Sequence, residues 1–284
     1  MYFEHPSVLS CSLNMKSLGY FFAFAMFLLA CKPDAGEDII NQPENDLDVE
    51  IIDAPNDSTD VIGSATTLEV SDPMESISEP TVEDTLRYLA LGDSYTIGES
   101  VAVNLRWPNQ LADSINQNSD EWYIDEVDII AQTGWTTANL SNAMDQQSVD
   151  GEEYDLVSLL IGVNNQYQGL SIVTYEQQLN NLLDRAIAIA GNDPNKVFVV
   201  SIPDYGYTPF GAGNQATISA ELDDFNEVCL NATLAKGIRH YNITPISREW
   251  PDTPGLVASD NLHPSGLQYS LWVESFWEDL VAGE

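Results

Sequence analysis

The sequence predicts an α/β domain with a central parallel sheet in residues 86–284. Two observations carry this prediction: short apolar runs that do not alternate with polar residues, and apolar residues at helical spacing between those runs. Short apolar runs without alternation are typical of strands that are buried on both faces of a parallel sheet. Alternating strands and helices in one region predict right-handed crossovers within one domain.

Four apolar runs are the predicted strands. They cover residues 86–91, 127–131, 156–161 and 197–202. Apolar side chains three and four residues apart predict one helix around Leu182 and another around Leu222, and a last helix is predicted over residues 267–281. In such sheets the chemistry lies beyond the carboxyl ends of the strands, so the residues that follow each run are the candidates for a site.

The N-terminal residues predict an export signal. Lys16 precedes an apolar run over residues 18–30, which is shorter than the roughly 20 residues that span a bilayer. A cationic lead, an apolar run and a small residue (Ala30) are typical of a secretory signal. We expect the signal to cover residues 1–31, with Met15 as the true start.

A linker is predicted between this signal and the domain. Residues 32–85 contain one basic residue, sixteen acidic residues and no aromatic residue. Such a segment cannot bury enough apolar surface to offset its ordering entropy, and its like charges extend it. We expect a disordered acidic linker, which acts either as a spacer or only as a solubilising segment.

Charge and composition exclude several classes of partner. The 284-residue chain has 9 Lys and Arg against 45 Asp and Glu, for a formal net charge of −36. A chain this acidic is repelled by phosphate backbones, so we expect no nucleic-acid partner. Its three Cys and three His have no metal-ligand spacing, so we expect no metal site.

Polar residues at the predicted strand ends form a set that suits nucleophilic catalysis. Ser94 needs a base to remove its proton, and His263 is a candidate because Asp260, three residues earlier, can orient its ring. A developing oxyanion needs fixed donors. The backbone N–H groups of Ser94 and Gly134 and the side-chain amide of Asn164 are the candidates.

This set resembles the SGNH hydrolase family, also called the GDSL-type esterases and lipases. The family contributes Ser, Gly, Asn and His in that order, which match Ser94 in Gly-Asp-Ser-Tyr, Gly134, Asn164 in Gly-Val-Asn and His263 in Asp-Asn-Leu-His. The resemblance covers residues 86–284. It implies a flavodoxin-like three-layer α/β/α fold, acyl-ester hydrolysis and no cofactor.

The chain departs from the family pattern at two positions. Tyr95 stands where the first block usually has Leu, which changes a packing residue and leaves the nucleophile intact. Asn165 stands where the third block often has Asp, so a supporting charge is lost. The Gly-x-Ser-x-Gly elbow of the α/β-hydrolases is absent because Thr96 occupies the place of its second Gly, which disfavours that class.

Aromatic residues near the strand ends are candidates for substrate binding. Trp135, Tyr167 and Tyr205, together with Asn165, are the candidate substrate-binding residues, and Trp107 and Phe210 are further aromatics in the same loops. These side chains suit either stacking on a sugar or an acyl pocket, while packing at the rim is an equal alternative.

The sequence Leu-Leu-Ala-Cys at the end of the signal resembles the lipobox of bacterial lipoproteins. That resemblance implies lipidation of Cys31, which becomes the first residue of the mature chain. Acyl chains would attach the protein to a membrane of the bacterial cell envelope. The alternative is an ordinary signal peptide with an incidental Cys.

The sequence therefore predicts an exported, lipid-anchored serine esterase. We expect its substrate to be a small or glycan-linked ester, with an acetyl or other short acyl group, and we expect a monomer. One alternative is a carbohydrate-binding surface lipoprotein that keeps the fold without turnover, for which Asn165 is the only support. A purely structural lipoprotein is a third reading, and it leaves the four strand-end residues unexplained.

Overall fold

The computed structural model describes residues 85–119 and 121–282. The predicted signal, Cys31 and residues 32–84 of the predicted linker lie outside the described residues. Among the residues described, the structure contains no helix with the length and apolar character needed to cross a membrane.

Five parallel strands form the central sheet, in the order β2-β1-β3-β4-β5. They are β1 (Tyr88–Gly92), β2 (Val127–Ala131), β3 (Leu156–Leu160), β4 (Val197–Val200) and β5 (Arg239–Tyr241). Every residue of β1, β3 and β4 is buried, as apolar runs without alternation predict. The predicted α/β class with a central parallel sheet is confirmed.

Nine α-helices occur in the described residues, and the longer ones form two groups. They are α1 (Ser94–Ile97), α2 (Trp107–Asn118), α3 (Thr137–Gln146), α4 (Val163–Tyr167), α5 (Ile172–Ile189), α6 (Gln215–Ala235), α7 (Thr244–Ser247), α8 (Gly266–Glu274) and α9 (Trp277–Ala282). Helix α2 packs against α8 and α9, whereas α5 packs against α3 and α6. These two groups cover the sheet, so its central strands have no solvated face.

The edges of the sheet differ from the sequence-based expectation. Strand β2 is an edge strand with an exposed Asp128, so it is not buried on both faces. Strand β5 was not predicted, because its three residues include Arg239 and His240 and form no apolar run. Edge strands need less apolar surface than central ones, which explains both differences.

The predicted last helix is wrong as a single element. It is divided into α8 and α9 by Ser275 and Phe276. The hydroxyl of Ser275 donates to the carbonyl of Trp272 at 2.6 Å, so the side chain competes for the helical hydrogen bonds at this point. Phe276 is buried, and the break allows it to pack against Phe198 and Tyr241.

Trp107 belongs to the core and not to a strand-end loop. It begins α2, is fully buried and packs edge-on against Phe198 of β4, with ring centroids 6.2 Å apart. The expectation that Trp107 stands with the site aromatics is therefore wrong. Because an irregular segment precedes Trp107, the sequence did not indicate that a helix begins there.

Candidate active site

Ser94 is placed by the tight turn between β1 and α1. Asp93 caps the short helix by accepting a hydrogen bond from the Tyr95 N–H at 3.0 Å, and Ser94 is its first residue. Gly92 is required at the end of β1, because a Cβ there would lie 2.5 Å from the carbonyl oxygen of Leu160. Ser94 is 4% exposed, and its Oγ makes no hydrogen bond to any described residue.

The carboxyl group of Asp93 is buried beside this serine. Its Oδ2 has no hydrogen-bond partner among the described residues. Burial raises the pKa of Asp93 to about 7, although the Tyr95 N–H and other backbone groups act in the opposite direction. The folded protein therefore holds this proton more tightly than the unfolded chain does.

We expect Asp93→Asn to reduce the loss of stability between about pH 4 and about pH 7. A raised carboxyl pKa makes the free energy of unfolding fall as the pH rises through this window. The lowered pKa of Asp260 acts in the opposite direction and only below about pH 4. The melting temperatures of the wild-type protein and of Asp93→Asn at pH 5 and pH 8 check this. An equal drop in melting temperature between the two pH values in the two proteins would contradict it.

His263 and Asp260 form a hydrogen-bonded pair in the loop before α8. His263 Nδ1 lies 2.6 Å from Asp260 Oδ2, and the ring is almost buried. The other carboxylate oxygen accepts from the N–H groups of Leu262 and His263, both at 2.9 Å. The loop itself is held by a backbone hydrogen bond from Ala258 to His263. The sequence spacing of three residues therefore corresponds to a direct contact.

Ser100 is a third member of this cluster that the sequence did not indicate. Its Oγ donates to Asp260 Oδ2 at 2.6 Å, the same oxygen that faces the His263 ring. Burial acts to raise the pKa of Asp260, but hydrogen bonds from Ser100, His263 and the two backbone N–H groups outweigh it and hold that pKa well below its usual range. Asp260 is therefore a carboxylate at neutral pH.

The segment that carries Ser100 also contacts the loop after β2. Glu99 accepts a hydrogen bond from the hydroxyl of Thr133 at 2.5 Å, next to Gly134. Ser100 has a φ of +67°, a left-handed conformation that is uncommon for a residue other than Gly. Glu99 and Ser100 thus link three loops that are far apart in the sequence.

Gly134 and Asn164 are the other two candidate oxyanion donors. Gly134 has a φ of +86°, and a Cβ at this position would meet no atom within 4 Å, so its backbone faces open space. The Nδ2 of Asn164, on α4, donates to the carbonyl of Trp135 at 2.9 Å. An amide nitrogen carries two hydrogens, so this bond fixes the group and leaves one donor.

One cavity of about 270 Å³ joins these residues. Ser94, Gly134, Asn164 and His263 all line it, and we call it the Ser94 pocket. The rest of its wall is Tyr95, Thr133, Val163, Tyr167, Tyr205, Phe210 and Leu262. Asp260 lies behind His263 and does not line the cavity. The structure thus brings four residues from four separate segments of the chain to one small, largely apolar pocket.

Three aromatic side chains, here called the aromatic cluster, form one side of the pocket. They are Tyr167, Tyr205 and Phe210, and each pair of ring centroids is 6.2 Å apart. Tyr205 is buried, and its hydroxyl donates to Gln166 at 3.0 Å. Two of the candidate substrate-binding residues therefore line the pocket, and Phe210 joins them.

The other two candidates for substrate binding do not line the pocket. Asn165 is fully buried, accepting from the Thr137 N–H at 3.0 Å and donating to the Thr137 hydroxyl at 2.8 Å. It attaches α4 to the start of α3, so the expectation that it contacts substrate is wrong. Trp135 packs against the core and contributes its carbonyl to Asn164.

Neither His240 nor Cys229 belongs to the pocket. His240 lies in β5, where burial lowers its pKa. Cys229 is buried in α6, and burial raises the pKa of its thiol to about 11. No group of three or more His, Cys, Asp or Glu in the described residues is arranged to hold a metal ion.

Comparison with known sequence families identifies the family of the chain. The sequence model of the GDSL-like lipase/acylhydrolase family matches residues 90–271, which include all five of the site residues from Ser94 to His263. No curated protein sequence matched the chain.

Solved structures are similar in fold along most of their own length. The psychrotrophic esterase EstA from Pseudoalteromonas sp. is 15% identical, with a TM-score of 0.51 over 70% of this chain and 98% of EstA. Axe2, an acetylxylan esterase from Geobacillus stearothermophilus, is 19% identical, with a TM-score of 0.54 over 69% of this chain and 94% of Axe2. The lipase/acylhydrolase from Enterococcus faecalis is 17% identical, with a TM-score of 0.54 over 70% and 96%. At this identity the likeness concerns the fold alone.

Proposed function

The chain belongs to the GDSL-like lipase/acylhydrolase family, and from this premise we propose that it is a serine esterase that hydrolyses short-chain acyl esters. One observation carries the proposal: Ser94, Gly134, Asn164 and His263 line the same cavity, with Asp260 hydrogen-bonded to the His263 ring. Nucleophile, base and oxyanion donors must surround one reacting carbon, which requires that they line one cavity.

In the acylation step, Ser94 Oγ attacks the ester carbonyl and His263 Nε2 accepts its proton. Asp260 selects the Nδ1–H tautomer of the ring, which leaves Nε2 as the acceptor, and stabilises the imidazolium that forms. No hydrogen bond joins Ser94 to His263 in the described residues. Such contacts are often long before substrate binds and tighten in the complex.

The oxyanion is stabilised by donors from three separate segments of the chain. We assign the backbone N–H groups of Ser94 and Gly134 and the free amide hydrogen of Asn164 to this role. His263 then protonates the leaving alcohol, and in the second step it activates the water that hydrolyses the acyl-enzyme. Asn164 can aim its hydrogen because its other hydrogen is bound to the Trp135 carbonyl.

The size of the pocket supports a short acyl group. Its volume of about 270 Å³ lies just below the range of about 300–1,000 Å³ that is usual for sites binding whole drug-sized ligands. Its walls are mostly apolar, which suits an acetyl or butyryl chain. A long acyl chain would have to leave the pocket and extend over exposed surface.

The test of this proposal is a comparison of p-nitrophenyl acetate, butyrate and octanoate as substrates of the purified protein. We expect turnover of the two shorter esters and a kcat/KM for octanoate that is at least about 10-fold lower, since a pocket of about 270 Å³ does not enclose the extra methylenes. Preference for octanoate would contradict the short-chain assignment. Absence of turnover with every ester, in a folded protein, would contradict the esterase itself.

The alternative of a carbohydrate-binding protein without turnover receives no support from Asn165. Its amide is buried and bonds to Thr137 through both its oxygen and its nitrogen, so the departure at this position changes the attachment of α3 and not the pocket. The residues that carry the esterase proposal are all present.

We also propose that the enzyme acts in the bacterial cell envelope, attached to a membrane through lipidated Cys31. This proposal rests on the sequence of the signal and on the acidic linker that follows it. Mass spectrometry of the protein purified from membranes tests it. A mature N-terminus at Cys31 that carries acyl chains is expected, and an unmodified Cys31 would contradict it.

A further inference from the structure

A second cavity lies on the far side of the aromatic cluster. It has a volume of about 450 Å³ and shares Tyr167, Tyr205 and Phe210 with the Ser94 pocket. We call it the side cleft. A molecule that is bound with its ester carbonyl at Ser94 can therefore continue across the aromatic cluster into the side cleft without leaving the protein surface.

The side cleft differs from the Ser94 pocket in its chemistry. Its other side chains include Gln166, Asn214, Thr217 and Glu221, whereas the Ser94 pocket is mostly apolar. Tyr167 and Phe210 are 59% and 52% exposed, so their rings are open to a ligand. Exposed rings beside hydrogen-bonding side chains suit a ligand that has apolar C–H faces and hydroxyl groups.

Two polar side chains of the cleft are bonded to each other, and the cleft retains hydrogen-bonding capacity. Gln166 Nε2 donates to Glu221 Oε2 at 2.6 Å, and Gln166 Oε1 accepts from the Tyr205 hydroxyl. The Oε1 atom of Glu221 and the side chains of Asn214 and Thr217 make no hydrogen bond within the described residues. Donors and acceptors for several hydroxyl groups are therefore available in the cleft.

The charges of the cleft exclude two classes of alcohol. No Lys or Arg lines it, and Glu221 is an acid, so a phosphate-bearing head group would be repelled. A long alkyl alcohol would cover Glu221 Oε1 and the side chains of Asn214 and Thr217 without offering them hydrogen-bond partners, which is unfavourable. An uncharged polyol satisfies both conditions.

We propose that the side cleft binds the alcohol portion of the substrate and that this portion is a neutral sugar. The enzyme would then remove a short acyl group from an O-acylated saccharide, with the acyl group in the Ser94 pocket and the sugar ring against Tyr167 and Phe210. The orientation of the substrate in this assignment rests on the proposed esterase activity. The affinity of the side cleft for sugar does not depend on turnover.

The first experiment compares kcat/KM for acetylated xylo-oligosaccharides with kcat/KM for p-nitrophenyl acetate. We expect the ratio of these two values to fall about fivefold in Thr217→Val and further in Asn214→Ala/Thr217→Val, because each removes a hydrogen bond that only the sugar makes. The control for Glu221→Gln is Glu227→Gln, which changes an exposed Glu of the same helix outside the cleft. This control should leave the ratio unchanged. Circular dichroism checks that each variant is folded.

An unchanged ratio in all the cleft variants would overturn the proposal. A fall in the ratio for dodecyl acetate, and not for the sugar ester, would assign the cleft to an apolar alcohol instead.

The second experiment does not depend on turnover. The Ser94→Ala protein is titrated calorimetrically with the same acetylated oligosaccharides. Binding that Asn214→Ala/Thr217→Val weakens at least about fivefold is expected even if no ester is hydrolysed, so failure of the esterase and failure of the sugar cleft are distinguished. No binding by the folded Ser94→Ala protein would overturn the cleft assignment.

Discussion

Ser94→Ala is expected to lower kcat/KM for p-nitrophenyl acetate by at least about 10³-fold, because it removes the atom that forms the acyl-enzyme. The fold should be unaffected. Ser94 Oγ makes no hydrogen bond to a described residue, so its loss leaves no partner unsatisfied. His263→Ala should cause a loss of similar size, and the double variant should be little worse than either alone, since the two groups act as a unit.

Steady-state kinetics with a matched control measure this effect. Ser270→Ala removes a hydroxyl from α8, on a helix surface that does not line the Ser94 pocket, and should keep full activity. If Ser94→Ala retained more than about a tenth of the wild-type kcat/KM while remaining folded, Ser94 would not be the nucleophile.

Asp260→Asn is expected to lower kcat by about 10³-fold while the protein remains folded. An amide at this position offers a donor to His263 Nδ1, which favours the wrong tautomer and removes the charge that stabilises the imidazolium. Because this interaction matters most in the transition state, kcat should fall and KM should change little. A fall caused only by a higher KM would contradict this role.

Substitutions of Ser100 test the same role of Asp260 with a smaller expected fall in kcat. Ser100→Ala removes the hydrogen bond to Asp260 Oδ2 and is expected to lower kcat by roughly 5- to 10-fold, since the carboxylate keeps its other three donors. Ser100→Gly removes the same hydroxyl but relieves the left-handed backbone, so it should be more stable than Ser100→Ala and equally slow. Unequal rates in these two variants would indicate that backbone strain, and not the hydrogen bond, positions Asp260.

Much of this arrangement could be predicted from the sequence because its determinants are local. Ser94, Gly134 and Asn164 follow apolar runs, and parallel strands bring their carboxyl ends to one edge of a sheet. Asp260 and His263 are three residues apart, which is within reach of a side chain in one turn. A motif that is short in sequence and anchored to a strand end can be located without a structure.

The remaining features depend on contacts between distant segments. Ser100 and Asp260 are 160 residues apart, and no pattern around Ser100 marks it as a partner of that loop. Asn165 was a candidate substrate-binding residue, but consecutive residues of a helix point in different directions, and its partner Thr137 lies on another element. The side cleft arises where α4, α6 and the Phe210 segment meet, which only the packing of the chain decides.

The measurement that tests the central claim most directly is covalent labelling with diethyl p-nitrophenyl phosphate, followed by peptide mass spectrometry. An activated serine attacks phosphorus and keeps the diethylphosphoryl group, so the reagent reports the nucleophile without a known substrate. We predict one label, on Ser94, with loss of esterase activity in proportion to labelling and much slower labelling of His263→Ala. A folded protein that remains unlabelled, or that is inactivated by a label on another residue, would contradict the assignment of this site.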